Sequence, residues 1–363
     1  MNEEDVLIEQ REELKKQLAA GEYDPKLWQW VDQVGHLMQR LFRLEKRPSY
    51  GVNTAVLTTL LLLIGMLISL LLGEFQNEAR QAYIPLELLG ALFLFTILIL
   101  NKAVFTVIFS AQREYLLDDI TSTTNLWHTR KWLKSLCSKS VLLFGILYSV
   151  VIIGIFLFRI AVPEFGFVSL GVTFEASIIF FVAGMGVNYL ILILMWVSSL
   201  GQYHLKLYTA DPSNSEIISR LSIMMRRILY LFVVIGLTPA IFIPFWGALT
   251  LLESIVMIAT LWVAAIAFFV MGQISLSTII SNAKWRELNR LQARIEKLSG
   301  GGNIEEKETM ETIKRLTEYH NQILQTHNSA MNIRAGLNFV TSLLLPILAF
   351  VLTNLDTVLA FFK

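Results

Sequence analysis

The residues able to do chemistry are few and scattered. Five histidines (His36, His128, His204, His320 and His327) and one cysteine, Cys137, show no metal-ligand spacing, so neither a metal centre nor an intrachain disulfide is expected. The chain has no His-Glu-x-x-His, no Gly-x-Ser-x-Gly and no glycine loop leading into Lys-Ser/Thr. Zinc hydrolysis, serine acyl transfer and P-loop phosphate chemistry therefore lack their residues. The run Gly300, Gly301, Gly302 continues into Asn303 and Ile304 and reads as a hinge. No catalytic residue and no cofactor is expected, and the chain does not read as an enzyme.

A few polar or helix-breaking residues interrupt otherwise apolar stretches. Lys102 lies near one end of its stretch, close enough for its ammonium to snorkel out. Asn188 follows Gly184-Met185-Gly186-Val187, where it can contact a polar solute or make a helix-packing hydrogen bond. Gly236, Pro239, Pro244 and Gly247 interrupt a further stretch, and a helix there is expected to kink or unwind. Pro239, Pro244, Gly236, Asn188 and Lys102 are thus the pore or hinge candidates.

The elements that must carry these residues follow from composition. Of 363 residues 55% are apolar and only 16% charged, with a net charge of +1 and a mean hydropathy of +0.57. Soluble domains carry about 25% charged residues, so a soluble globular class is excluded. A nucleic-acid binder would show a basic excess, and none is expected. A helix crosses the hydrocarbon layer with about 20 apolar residues. Seven segments qualify, near 54–73, 86–109, 141–162, 175–199, 228–250, 254–272 and 338–361, the fifth and sixth joined by a tight turn at Leu251, Leu252 and Glu253. The expected fold class is an all-α polytopic membrane protein.

Basic residues orient it. Eight precede the first span, five lie between the second and third, four between the fourth and fifth, and nine before the seventh, which leaves only Arg80, Lys102, Arg159 and Lys363 elsewhere. Lysine and arginine are retained on the cytoplasmic face, so the N-terminus is expected inside and the C-terminus outside a cytoplasmic membrane. Glu74, Glu78, Glu87, Glu164, Glu175, Glu253 and Asp356 then fall on the opposite side, where they could form a cation-attracting rim, although short loops poor in Lys and Arg look acidic without further cause.

The expected organisation is cytoplasmic amphipathic helices over 1–50, six spans over 51–272 with inner loops 110–140 and 200–227, a cytoplasmic helical hairpin over 273–335, and a last span over 336–363. Within the first part, a charged helix from Glu3 ends at Gly21. Asp24 and Pro25 open a second helix, on which Leu27, Trp30, Val34, Leu37, Leu41 and Leu44 form an apolar stripe seeking lipid or another helix. Ser213 and Glu216 have capping-box spacing. Trp127, Trp132, Leu133 and Leu136, amid Arg130, Lys131 and Lys134, suit the headgroup layer. Leu288, Leu291, Ile295 and Leu298, then Ile313, Leu316 and Ile323, repeat every three or four residues on either side of the glycines. They read as an antiparallel coiled-coil hairpin and as the partner-binding candidates.

From Ile279 to Leu359 the chain has Ile-Ile-x-x-Ala-Lys-Trp-Arg-Glu-Leu, the hairpin, and Leu-Leu-Leu-Pro in the last span. This quarter resembles uncharacterised bacterial multi-pass membrane proteins. The resemblance implies a bacterial inner membrane and no reaction. The functional expectation is a non-enzymatic scaffold or signalling component that engages a cytoplasmic partner, or a second copy, through its coiled coil. The alternative is a channel-like or transport protein lined by the fifth span.

Overall fold

The structure is a computed structural model that describes residues 3–43, 46–74, 84–160, 170–242, 251–300 and 307–326. Those residues are helical with short connections, and no strand forms among them beyond one isolated bridge. The longer helices are α1 (Glu3–Ala19), α2 (Lys26–Leu41), α3 (Tyr50–Leu71), α4 (Ile84–Ala111), α5 (Thr123–Leu136), α6 (Lys139–Ile160), α7 (Leu170–Leu200), α8 (Glu216–Phe242), α9 (Leu251–Gly300) and α10 (Lys307–Gln325). A π turn, Gln112–Leu116, and a last helical turn, Leu117–Asp119, extend α4.

Among the described residues, four helical stretches are long and apolar enough to cross a membrane: Tyr50–Leu71, Glu87–Asp119, Leu170–Leu200 and Trp262–Ser299. A fifth is possible if α5 and α6, bent by 43° at Cys137 and Ser138, act as one. Seven separate spans are therefore not resolved here. Part of the expected fifth span and all of the seventh, with Pro244, His327 and the last-span Leu-Leu-Leu-Pro, lie outside the described residues. Leu60, Leu63 and Leu67 on α3, Leu143, Leu147 and Val150 on α6, and Val263, Ile266 and Val270 on α9 point outward, giving the bundle an apolar exterior.

Helix α7 is the spine of the bundle, in contact with α3, α4, α5, α6 and α9. Three side chains from its neighbours donate to its backbone carbonyls: Trp132 Nε1 to Leu192 O at 2.8 Å, Ser149 Oγ to Ser177 O at 2.8 Å, and Ser275 Oγ to Val197 O at 2.7 Å. Its first amide, Leu170 N, donates to Glu74 Oε1 at 2.8 Å. Small residues set the closest approaches. Gly184 packs against Gly145 and Tyr148 of α6, and Gly171 lies on Ser69 and the carbonyl of Gly65 in α3.

Several sequence expectations change. The residues read as the turn between the fifth and sixth spans, Leu251 to Glu253, form the first turn of α9. That helix then continues without interruption to Gly300 rather than stopping near 272. Helix α8 stays helical across Gly236 and Pro239 to Phe242, so the expected unwinding is absent from its described part. The Ser213/Glu216 capping box does not form. Asp211 takes Ser213 N (3.1 Å), Ser213 Oγ (2.5 Å) and Asn214 Nδ2 (2.6 Å), so the hydroxyl is spent on a short 3-10 turn, Pro212–Asn214, ahead of α8. Pro25 precedes the first residue of α2, which has no side-chain cap. Trp132 does not lie at a headgroup surface: it is buried and stacked on Trp196 with centroids 4.8 Å apart, while Trp127 stays exposed.

A methyl group on Gly171 would collide with the Gly65 carbonyl, whereas one on Gly186 meets nothing within 4 Å. Gly171→Ala is expected to lower stability by about 1–3 kcal/mol. Gly186→Ala should leave it unchanged or slightly higher, since alanine is the better helix former. Thermal unfolding of the purified protein in detergent checks the pair.

Candidate functional site beneath the second helix

The end of the bundle that carries α1, α2 and α5 is held by contacts distant in sequence. Loop residues 119–121 and 204–206 are clipped into a short antiparallel bridge, with Thr121 N donating to His204 O at 2.9 Å and Lys206 N to Asp119 O at 2.8 Å. Helix α1 docks on this clip through Arg11, which donates to Ile120 O at 3.0 Å, and through the Lys15–Asp118 ion pair at 2.6 Å. Glu13 pairs with Arg130 of α5 at 2.6 Å.

Helix α2 docks with only part of the expected stripe, burying Leu27 and stacking Trp30 on Phe181 of α7. It buries Leu27, Trp28, Val31 and Gly35, a face rotated from Trp30, Val34, Leu37 and Leu41. Trp28 meets Phe105 and Phe109 of α4 edge-on, with centroids 5.9 and 5.7 Å apart. Phe105 in turn meets Tyr189 of α7 at 5.2 Å. Gly35 lies so close to the Asn53 amide of α3 that any side chain there would collide with it.

Lys102, half-buried, reaches into this seam at the α2 end of the bundle. Its Nζ lies 3.3 Å from the centre of the Trp28 ring and 5.0 Å from that of Tyr50, a cation–π placement that keeps the ammonium under α2. The amide of Asn53 has neither its oxygen nor its nitrogen in a hydrogen bond, and Asn101 Oδ1, Asn188 Oδ1 and Trp28 Nε1 are likewise buried without a partner. Asn101 adjoins Lys102 in α4, and Asn188 adjoins Tyr189 in α7. Two of the sequence candidates, Lys102 and Asn188, therefore lie on helices joined through the Phe105–Tyr189 contact, and Asn188 makes no packing hydrogen bond through its oxygen. Buried amides without partners are costly in a bundle of this kind. These residues contain no nucleophile–base pair.

Gly236 is buried in α8, which packs on α4 and α9, and nothing brings it to Lys102. Pro239 falls within α8, its surroundings outside the described side chains, as Pro244 is altogether. Sequence reading missed Trp28, Tyr50 and Asn53. A second apolar face on α2, Leu27-Trp28-Val31-Gly35, was the available signal for the first of them.

Glu74, Glu87 and Glu175, read as residues of acidic outer loops, are buried between helices at the opposite end of the bundle, and Glu175 lies against Gly65. Among the described residues no three His, Cys, Asp or Glu side chains converge as metal ligands. Beyond the bundle, Leu288 and Leu291 of α9 bury against Ile323 of α10, with Leu316 and Tyr319 packed beside them. Ile295, Leu298 and Ile313 are half-buried. Lys284 Nζ donates to Leu324 O and Thr326 O, both at 2.8 Å, and so caps the end of α10. The chain matches no family model, no curated protein and no solved structure.

Asp24, just ahead of α2, has its carboxyl pushed up by loss of water. The nearby Lys102 ammonium opposes this, Asp32 reinforces it, and Arg113 opposes it less. Between the ordinary value of 3.8 and the raised one, the folded chain keeps a proton that the unfolded chain has released. Stability therefore falls as pH rises through that window and is level above it. Asp24→Asn is expected to remove this slope, and Lys102→Met, which deletes the main opposing charge, to steepen it. Thermal midpoints measured from acidic to neutral pH read both.

Proposed function

We propose that the chain is a seven-span protein of a bacterial cytoplasmic membrane, N-terminus inside and C-terminus outside, acting as a non-enzymatic scaffold or signalling component. The single observation that carries this reading is the continuity of α9. At 50 residues it is about 75 Å long, against about 30 Å of hydrocarbon. A membrane span and the arm that leaves it are thus one rod, and a partner seated on the arm is mechanically joined to the bilayer segment. In this reading α9 and α10 form the cytoplasmic coiled-coil hairpin. Leu288, Leu291, Leu316 and Ile323 close it, and Ile295, Leu298 and Ile313 toward its tip meet the cytoplasmic partner or a second copy.

Lys102 held against Trp28 and Tyr50, with unpartnered amide atoms on α3, α4 and α7, supports a second reading, a path for a small polar solute or anion that α2 closes from the cytoplasmic side. The two readings separate by experiment. Deletion of residues 286–326 is expected to leave membrane insertion intact and to abolish crosslinked recovery of a partner or of a differently tagged second copy. A deletion silent in both association assays sinks the scaffold. Solute flux or conductance in reconstituted vesicles that Lys102→Met abolishes would establish transport instead.

A further inference from the structure

Helix α2 has two apolar faces. At about 100° per residue, Leu27, Trp28, Val31 and Gly35 share one arc, packed on the bundle, while Trp30, Val34, Leu37 and Leu41 share another centred roughly 100° away. Past Trp30 and Val34 the second arc is not covered by protein: Leu37, Leu41 and the following Phe42 are 55%, 68% and 67% exposed.

Its direction is given by Trp30. Trp28 lies level with Tyr189, since both touch Phe105. Trp30 instead stacks on Phe181, centroids 5.5 Å apart, eight residues or about 12 Å farther along α7 from its Leu200 end. The exposed arc therefore looks toward the apolar belt of the bundle rather than away from it. Cations follow at once. Arg40, Arg43 and Lys46 are exposed. Arg47 is already paired with Asp32 at 3.0 Å, and Glu45 is the one acid in 40–47. Apolar side chains turned to the bilayer with unpaired cations beside them are the arrangement that seats a helix in an anionic leaflet.

We propose that α2 is an interfacial anchor for anionic phospholipid. Trp30, Leu37, Leu41 and Phe42 sit among the acyl chains of the inner leaflet, and Arg40, Arg43 and Lys46 hold headgroup phosphates. This rests on the reading that the bundle spans a membrane with its α2 end cytoplasmic.

The test uses the full chain in nanodiscs of equal phosphatidylglycerol and phosphatidylcholine, released into native mass spectrometry. The parent is expected to retain phosphatidylglycerol preferentially, and R40Q, R43Q and K46Q to lower that preference by about fivefold for each charge removed. Equal retention of the two lipids by the parent, or an unchanged preference in the triple variant, overturns the proposal. In a Cys137→Ser background, a spin label at Leu41→Cys is expected to be open to oxygen and shielded from a water-soluble nickel chelate, like a control label at Leu147→Cys on the outward face of α6. A water-exposed label at 41 with a lipid-exposed label at 147 overturns the anchor alone. A water-exposed label at 147 removes the membrane reading and the anchor with it. Strong spin–spin broadening between copies at 41 assigns the face to a second copy instead.

Discussion

A peptide group in hydrocarbon has no water to bond, so each apolar stretch must satisfy its own backbone, and the helix is the open-chain structure that does so. This leaves the helices with no spare backbone bonds to hold one another. Cohesion falls to side-chain packing and to the few side chains that reach a neighbour's carbonyl. Here those reaches converge on α7, from Trp132, Ser149 and Ser275, while Gly171 and Gly184 let α3 and α6 approach closely enough for packing to count.

At the α2 end, water and protein compete for the same groups, and the energetics divide accordingly. The Lys15–Asp118 and Glu13–Arg130 pairs are partly exposed and contribute at most about 1 kcal/mol each. Taking Leu27 or Val31 from water contributes about 1.5–3 kcal/mol apiece. Burial therefore seats α2, and the ion pairs of α1 orient what burial has seated. The cost of this arrangement is polar: Lys102, Asn53, Asn101 and Asn188 are enclosed with fewer partners than their chemistry calls for.

The arm follows the same logic. Lys284, buried yet bonded to two carbonyls at the end of α10, ties the return helix to α9 where α9 leaves the bundle, and the Leu288, Leu291 and Ile323 contact continues the tie outward. Because α9 has no break between Leu251 and Gly300, its apolar stretch from Trp262 and its contact with α10 belong to one continuous helix.

The helical class, the apolar stretches and the polar interruptions at Lys102 and Asn188 were legible in the amino-acid order. They depend on quantities summed along the chain: hydropathy over twenty residues, the three-to-four spacing of apolar side chains, the paucity of charge. Tertiary structure alone decided which of α2's two faces meets protein, that Trp28 would cover Lys102, that Asp211 would take Ser213 from its capping box, and that Glu175 would turn inward against Gly65. Each of these is a choice among partners of similar local merit, and the winner is set by residues tens to more than a hundred positions away or by a competing bond a few atoms off. Periodicity specifies that a face is apolar; it carries no information about whether lipid or another helix will cover it, because both remove the same surface from water.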